Sequence, residues 1–97
     1  MLGYIIIFRD GYDKKNDYIE GLLSSTVYLS LEDAWEDLGD FFDRCYLNPK
    51  LNQHDIRIHI DKYGFWIDHY DMKNAVRTEN YIIRPVNIKT KEPDKLV

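Results

Sequence analysis

The chain has 97 residues, a net charge of −4, and 44% hydrophobic and 31% charged residues. These totals are typical of one small globular domain, and they argue against disorder and against a nucleic-acid binder that works through a broad basic face. A single cysteine excludes an internal disulfide and a cysteine-rich zinc module. The apolar run at residues 4–8 is too short for a signal peptide or a membrane span, so we expect a cytoplasmic protein.

The first predicted element is a strand at residues 2–9, where β-branched and aromatic side chains predominate. A turn signal, Asp10-Gly11, follows it. Both faces of this strand carry apolar side chains, which indicates a central strand that is covered on both sides. Residues 12–21 are polar and predict a loop, and residues 22–29 predict a second strand, most clearly at 26–29.

The clearest predicted element is an amphipathic helix from residue 31 to residue 47. Ser30 is a good N-cap, Asp33 lies three residues later, and Asn48-Pro49 ends the pattern. The apolar positions with helical spacing are Leu31, Ala34, Trp35, Leu38, Phe41, Phe42, Cys45 and Tyr46. The side chains that we expect to be buried are Trp35, Leu38, Phe42 and Cys45.

A β-hairpin is predicted at residues 56–71, because apolar and polar residues alternate before a turn at residues 61–64. The register that best matches charges and apolar residues pairs Ile60 with Phe65, Ile58 with Ile67, Arg57 with Asp68, and His59 with Trp66. A last strand is predicted at residues 80–85, where Pro85 favours an edge position or the end of the strand. Residues 89–97 are expected to form an extended tail.

The resulting order of elements is β-β-α-β-β-β. The apolar residues are buried most simply if a single amphipathic helix packs on one face of an antiparallel sheet of about four to five strands. We therefore predict a single α+β domain over residues 1–97.

Catalysis and metal binding find little support in the residues. His54, His59 and His69 lie near several aspartates, but the predicted register directs His59 and His69 to opposite faces, where they cannot share one ion. Cys45 lies on the apolar face of the helix, where a thiol usually serves as a small buried hydrophobe. We therefore predict a non-enzymatic protein with no catalytic residue, no metal and no cofactor. A metal-dependent hydrolase-like enzyme that uses the histidines and aspartates of residues 54–71 is the remaining catalytic alternative.

The outer face of the helix is the first candidate partner-binding surface. Its acidic residues, which we call the acidic arc, are Glu32, Asp33, Glu36, Asp37, Asp40 and Asp43. The helix dipole explains acids in the first turn but not the later ones, and like charges four residues apart destabilise a helix. The arc is therefore either a solvated face or an anionic surface for a basic protein partner.

One face of the sheet is the second candidate surface. Its residues, which we call the sheet-face set, are Tyr4, Ile6, Phe8, Trp66 and Tyr70. If these side chains lie opposite the helix, a tail, a loop or another molecule must cover them. The set therefore predicts a homodimer, with coverage by the tail of the same chain as the alternative.

We interpret the chain as a protein-binding module. In its sharpest form this is a small acidic inhibitor or regulator of a nucleic-acid enzyme that acts as a DNA mimic, and the composition is typical of small viral and mobile-element inhibitors. The alternative is a structural or assembly subunit that oligomerises through its sheet face, while the acidic arc only keeps it in solution. Neither interpretation involves direct binding to nucleic acid or to a membrane.

Overall fold

One helix lies against one five-stranded antiparallel sheet. The structure is a computed structural model and describes residues 1–12, 18–46 and 55–89. The elements in these residues are β1 (Leu2–Tyr12), β2 (Tyr18–Leu22), α1 (Leu31–Tyr46), β3 (Asp55–Asp61), β4 (Gly64–Asp71) and β5 (Asn74–Asn87). The strand order in the sheet is β2-β1-β5-β4-β3. The predicted α+β fold and its order of elements are confirmed.

Helix α1 begins where its cap predicts. The Asp33 amide donates a hydrogen bond to Ser30 Oγ at 3.1 Å, which satisfies one of the free N–H groups of the first turn. Residue 47, the predicted helix end, lies outside the described residues. Leu38 is fully buried as predicted, but Trp35, Phe42 and Cys45 are only half-buried. The helix packs mainly on β1 and β5, so the flanks of its apolar face remain partly open to solvent.

The second strand is not where the sequence predicts it. β2 occupies residues 18–22, all of which except Leu22 predict a loop, and β1 continues through the turn signal at residues 10–11. The signal fails because Gly11 is paired on both sides, with β2 and with β5. Residues 26–29, despite their β-propensity, form only an isolated bridge in which Tyr28 and Tyr4 exchange two backbone hydrogen bonds of 2.8 Å. Tertiary pairing therefore overrides local propensity in this region.

The β3–β4 hairpin has the predicted register, and all four predicted pairs stand opposite each other. Gly64 closes the turn with φ +151°, and a Cβ added there would overlap the Tyr81 carbonyl oxygen. The Arg57 guanidinium lies 4.6 Å from the centroid of the Tyr70 ring, whereas the Asp68 carboxylate accepts a hydrogen bond from the Thr78 hydroxyl. Arg57 and Asp68 thus occupy opposite positions but make their closest contacts elsewhere.

β5 is longer than predicted and lies in the centre of the sheet, where it pairs with β1 and β4. Pro85 is tolerated there because it stands opposite Tyr4, whose backbone N–H and C=O bond to Tyr28 on the other side. The pairing with β4 has already ended at Ile82. The predicted edge position is therefore wrong, and the missing amide falls instead near the end of the strand.

The core lies between α1 and the centre of the sheet. Its buried side chains are Ile6, Tyr28, Ala34, Leu38, Phe65, Ile67, Tyr81 and Ile83. Aromatic rings from the helix extend it, since Phe41 lies 5.0 Å from the Tyr81 ring and Phe42 packs edge-on against Phe65 at 5.1 Å. The buried core side chains therefore come from β1, α1, β4, β5 and the segment before α1. Within the described residues, strand β3 contributes one partly buried side chain, Ile56, and β2 contributes none.

The sheet-face set is divided between the two sides of the sheet. Ile6 is 1% exposed beneath α1, and Tyr4 and Phe8 pack against the same core. Trp66 and Tyr70 lie on the other side, because they alternate along β4 with side chains that face the helix. The condition that Tyr4, Ile6 and Phe8 lie opposite the helix is not met, so these five side chains do not form one surface.

Beside β1, the two ends of the described chain meet. The Ile88 amide donates a hydrogen bond to the Met1 carbonyl at 2.7 Å. The predicted tail, apart from Lys89, lies outside the described residues. Within the described ranges, α1 lacks the length and apolarity that are needed to cross a membrane.

Candidate functional site

All six residues of the acidic arc are exposed to solvent. Glu32 and Asp33 lie in the first turn of α1, where the helix dipole stabilises negative charge. The remaining four carry the negative charge along the helix to its last turn. The grouping that the helical spacing predicts is therefore the one that the structure displays.

Half of the acidic arc lines a cleft between α1 and the segment that leads into it. The cleft has a volume of about 740 Å³. Its apolar lining comes from Ile6, Leu23, Tyr28 and Phe41, and its acidic lining from Asp37, Asp40 and Asp43. Ser24 and Arg44 also contribute. The cleft thus combines an apolar wall with three carboxylates and a single cation.

Tyr28 ties the wall of this cleft to the helix. Its hydroxyl donates a hydrogen bond to Asp37 Oδ2 at 2.6 Å. Burial raises the pKa of Tyr28, and the hydrogen bond to Asp37 raises it further. Arg44 turns back along the helix, where its Nε donates to the Asp40 carbonyl oxygen at 3.3 Å. The position of Asp37 is therefore fixed by a contact within the chain.

On the side of the sheet away from the helix, aromatic rings are paired with cations or with an imidazole. Trp66 stacks on His59 with 4.9 Å between ring centroids and an interplanar angle of 13°. Arg57 lies over Tyr70, and Arg9 lies over Tyr18 at 4.7 Å from the ring centroid. A role for Trp66 and Tyr70 in binding a partner stays a prediction.

His59 and His69 lie on opposite faces of the hairpin, as the register predicts. His59 Nε2 is 3.2 Å from Asp68 Oδ2 on the outer side, whereas His69 bonds to Glu79 on the helix side. His54 lies outside the described residues. Among the residues that the structure describes, no group of three or more histidine, cysteine or acidic side chains is arranged to hold a metal ion.

A partly buried ionic cluster around Glu79, on the helix side of the sheet, has no counterpart among the predicted sites. Glu79 is 8% exposed, and its carboxylate accepts a hydrogen bond from the Tyr81 hydroxyl at 2.8 Å. His69 Nε2 lies 2.5 Å from the same carboxylate, and Arg77 Nη2 lies 3.5 Å from it. Arg77 also donates to both oxygens of Asp10. The cluster joins β1, β4 and β5 beside the apolar core.

Sequence reasoning missed this cluster because it started the last strand at residue 80. The signal that would have found it is the alternation of residues 77, 79, 81 and 83, which share one face of β5. The Glu79 carboxylate accepts a hydrogen bond from Tyr81 and lies beside His69 and Arg77, so its oxygens have polar partners, and these partners link the strands that supply them.

Comparison of the chain with protein-family models, with curated proteins and with solved structures finds no match.

Proposed function

We propose that the chain is a non-enzymatic protein-binding module whose cleft beside α1 receives basic side chains of a partner protein. The observation that supports this proposal is the composition of the cleft, in which Asp37, Asp40 and Asp43 border an apolar wall. A lysine or arginine side chain has an apolar stem and a cationic head, so it complements both parts of such a lining.

Electrostatics favours the same kind of partner. Neighbouring carboxylates on one helix repel each other, and Glu36 and Asp40 stand at the unfavourable i,i+4 spacing. A basic partner would relieve this repulsion and would be steered toward the helix by its charge. Binding a cation would therefore reduce the repulsion within the acidic arc. A solvated face with mixed charges would gain no such stabilisation.

In its finer form, the proposal is a small acidic inhibitor or regulator of a nucleic-acid enzyme. Such an enzyme carries lysine and arginine side chains spaced to contact a phosphate backbone. Carboxylates that recur along one side of a helix offer negative charges at repeated intervals to the same side chains. The partner is thus a protein that binds nucleic acid, whereas the chain itself has a net charge of −4, which disfavours direct binding to nucleic acid.

A pair of triple variants tests the cleft. The first, Asp37→Asn with Asp40→Asn and Asp43→Asn, removes three charges from the cleft lining. The matched control, Glu32→Gln with Asp33→Asn and Glu36→Gln, removes three charges from the part of the acidic arc outside it. Circular dichroism and urea denaturation establish that both variants are folded before binding is measured.

Binding is measured by NMR titration with a short peptide of alternating glycine and arginine, and with the same peptide carrying neutral citrulline in place of arginine. We expect the arginine peptide to shift the amide signals of residues 37–44 in the wild type and in the control, with a clear loss in the cleft variant. Equal binding by all three proteins would rule out the cleft. An equal loss in both variants would show that only net charge matters.

A further inference from the structure

Strand β3 forms one edge of the sheet, and in the described chain it pairs only with β4. Its apolar side chains lie on the helix side of the sheet. Helix α1 packs mainly on β1 and β5, and it contacts the turn before β4 through Trp35, whose Nε1 donates a hydrogen bond to the Lys62 carbonyl, but it leaves Ile58 and Ile60 partly uncovered. Ile58 is consequently 38% exposed and Ile60 is 67% exposed. An edge strand with exposed isoleucines is a template for pairing with another strand.

The backbone of β3 is in the right phase for such pairing. The Ile83 amide donates a hydrogen bond to the Tyr63 carbonyl, directly opposite it. Because backbone groups alternate in direction along a strand, the N–H and C=O groups of odd-numbered residues in β4 point toward β5, and those of even-numbered residues point toward β3. Trp66 therefore bonds to His59 across the hairpin. Ile58 and Ile60 flank His59 in β3, so their N–H and C=O groups point the opposite way, out from the edge of the sheet.

The side chains of β3 are complementary to a second copy of the same strand in one antiparallel register. When the two strands cross at His59, Arg57 of each copy stands opposite Asp61 of the other, and Ile58 stands opposite Ile60. Both charge pairs form on the outer face, and four isoleucines meet on the helix side.

The two neighbouring registers are less favourable. Crossing at Ile58 places Asp55 opposite Asp61 twice, which sets like charges against each other. Crossing at Ile60 sets His59 opposite Asp61 but places Ile58 opposite Lys62 and leaves Arg57 without an acidic partner. The sequence of β3 thus discriminates between registers of its own dimer.

We propose that the chain forms a two-fold symmetric dimer by antiparallel pairing of β3 with β3 of a second copy, centred on His59. Symmetric pairing of one surface with itself is the commonest arrangement of soluble homo-oligomers. The two sheets become one sheet of ten strands, and Ile58 and Ile60 are covered on both copies. The interface uses neither the acidic arc nor the cleft, so it is independent of the proposed function.

Sedimentation equilibrium of the full chain over a concentration series measures the dimer directly. We expect the wild type to dimerise, and Arg57→Asp to raise its dissociation constant about 10-fold or more, because two attractive charge pairs become repulsive. Asp61→Arg alone should do the same. An equimolar mixture of the two variants should recover a heterodimer, because one copy then carries aspartate at both positions and faces arginine at both positions of the other.

Controls separate the interface from folding. Ile60→Lys should abolish the dimer, whereas Ile19→Lys, at a 69% exposed position on the opposite edge strand β2, should leave it intact. Asp61 accepts a hydrogen bond from the Tyr63 amide at 2.7 Å, so Asp61→Arg could fail to fold. In that case Arg57→Asp and the two lysine variants still test whether β3 forms the dimer interface. A monomeric wild type, or a dimer that survives both Arg57→Asp and Ile60→Lys, would overturn the proposal.

Discussion

Tyr28 connects the segment before α1 to both the sheet and the helix. Its backbone exchanges two hydrogen bonds with Tyr4, its side chain is only 6% exposed, and its hydroxyl bonds to Asp37. Burial raises the pKa of Tyr28 in the folded chain above its unfolded value of about 10. The stability that depends on the neutral phenol is therefore fully present below about pH 10 and is lost as the pH rises through the folded value.

We expect Tyr28→Phe to lower the free energy of unfolding by about 1–2 kcal/mol at neutral pH, because it removes a hydrogen bond to a carboxylate. The gap between wild type and variant should narrow above about pH 10, since only the wild type gains from ionising Tyr28 on unfolding. Urea denaturation across an alkaline pH series measures the gap. The exposed Tyr63→Phe variant provides the control for general alkaline effects. A gap that stays constant would show that Tyr28 titrates alike in both states.

At the scale of single elements, the sequence predicted α1 and the β3–β4 hairpin because their signals are local. Ser30 caps the helix and its apolar residues follow one spacing, while strict alternation and a tight turn set the hairpin. β2 carried no such signal, since Gly21 lies in its interior and two of its residues are polar or glycine. Its formation depends on β1, where the lack of a Cβ at Gly21 leaves room for the Phe8 ring, because an added Cβ would lie only 3.1 Å from it.

The candidate site was likewise predicted only in its local part, the acidic arc, and not in the part that depends on tertiary contacts. Helical spacing alone predicted the acidic arc, because every member lies on one element. The cleft was beyond prediction, because its other wall comes from residues 23–28, whose position depends on the Tyr4–Tyr28 bridge. The Glu79 cluster was not predicted because the last strand was predicted to begin at residue 80, whereas β5 begins at residue 74, and the ends of strands are hard to locate from sequence patterns.

Two glycines are expected to respond in opposite directions to replacement by alanine. A Cβ at Gly39 of α1 meets nothing within 4 Å, so Gly39→Ala should stabilise the chain by about 0.5–1 kcal/mol through helix propensity. Gly64→Ala should destabilise it by about 3 kcal/mol or more, because its φ is strained for alanine and the Tyr81 carbonyl blocks the Cβ. Urea denaturation of each variant gives both changes. A loss of stability in Gly39→Ala would indicate that the helix approaches a neighbour at this point.

At the scale of the whole molecule, β5 holds the sheet together. It is the last of the described elements in the chain, yet it stands between β1 and β4 and pairs with both. Among the strands that the structure describes, the pair β2–β1 and the pair β4–β3 are joined only through β5. The ionic cluster around Glu79 reinforces this junction, since its members come from all three central strands.

This topology has a consequence for the rate and timing of folding. The pairing of Leu2 with Asn87 joins positions almost a full chain length apart, so much of the loop-closure entropy must be lost before the central contacts form. We expect refolding to take roughly milliseconds to seconds, as in other domains dominated by distant strand pairs, and stopped-flow tryptophan fluorescence measures it. A relaxation in microseconds would contradict this expectation. During synthesis, β1 and β4 each keep an unpaired edge until β5 leaves the ribosome, so a nascent chain that stalls before β5 exposes two strands open to aggregation.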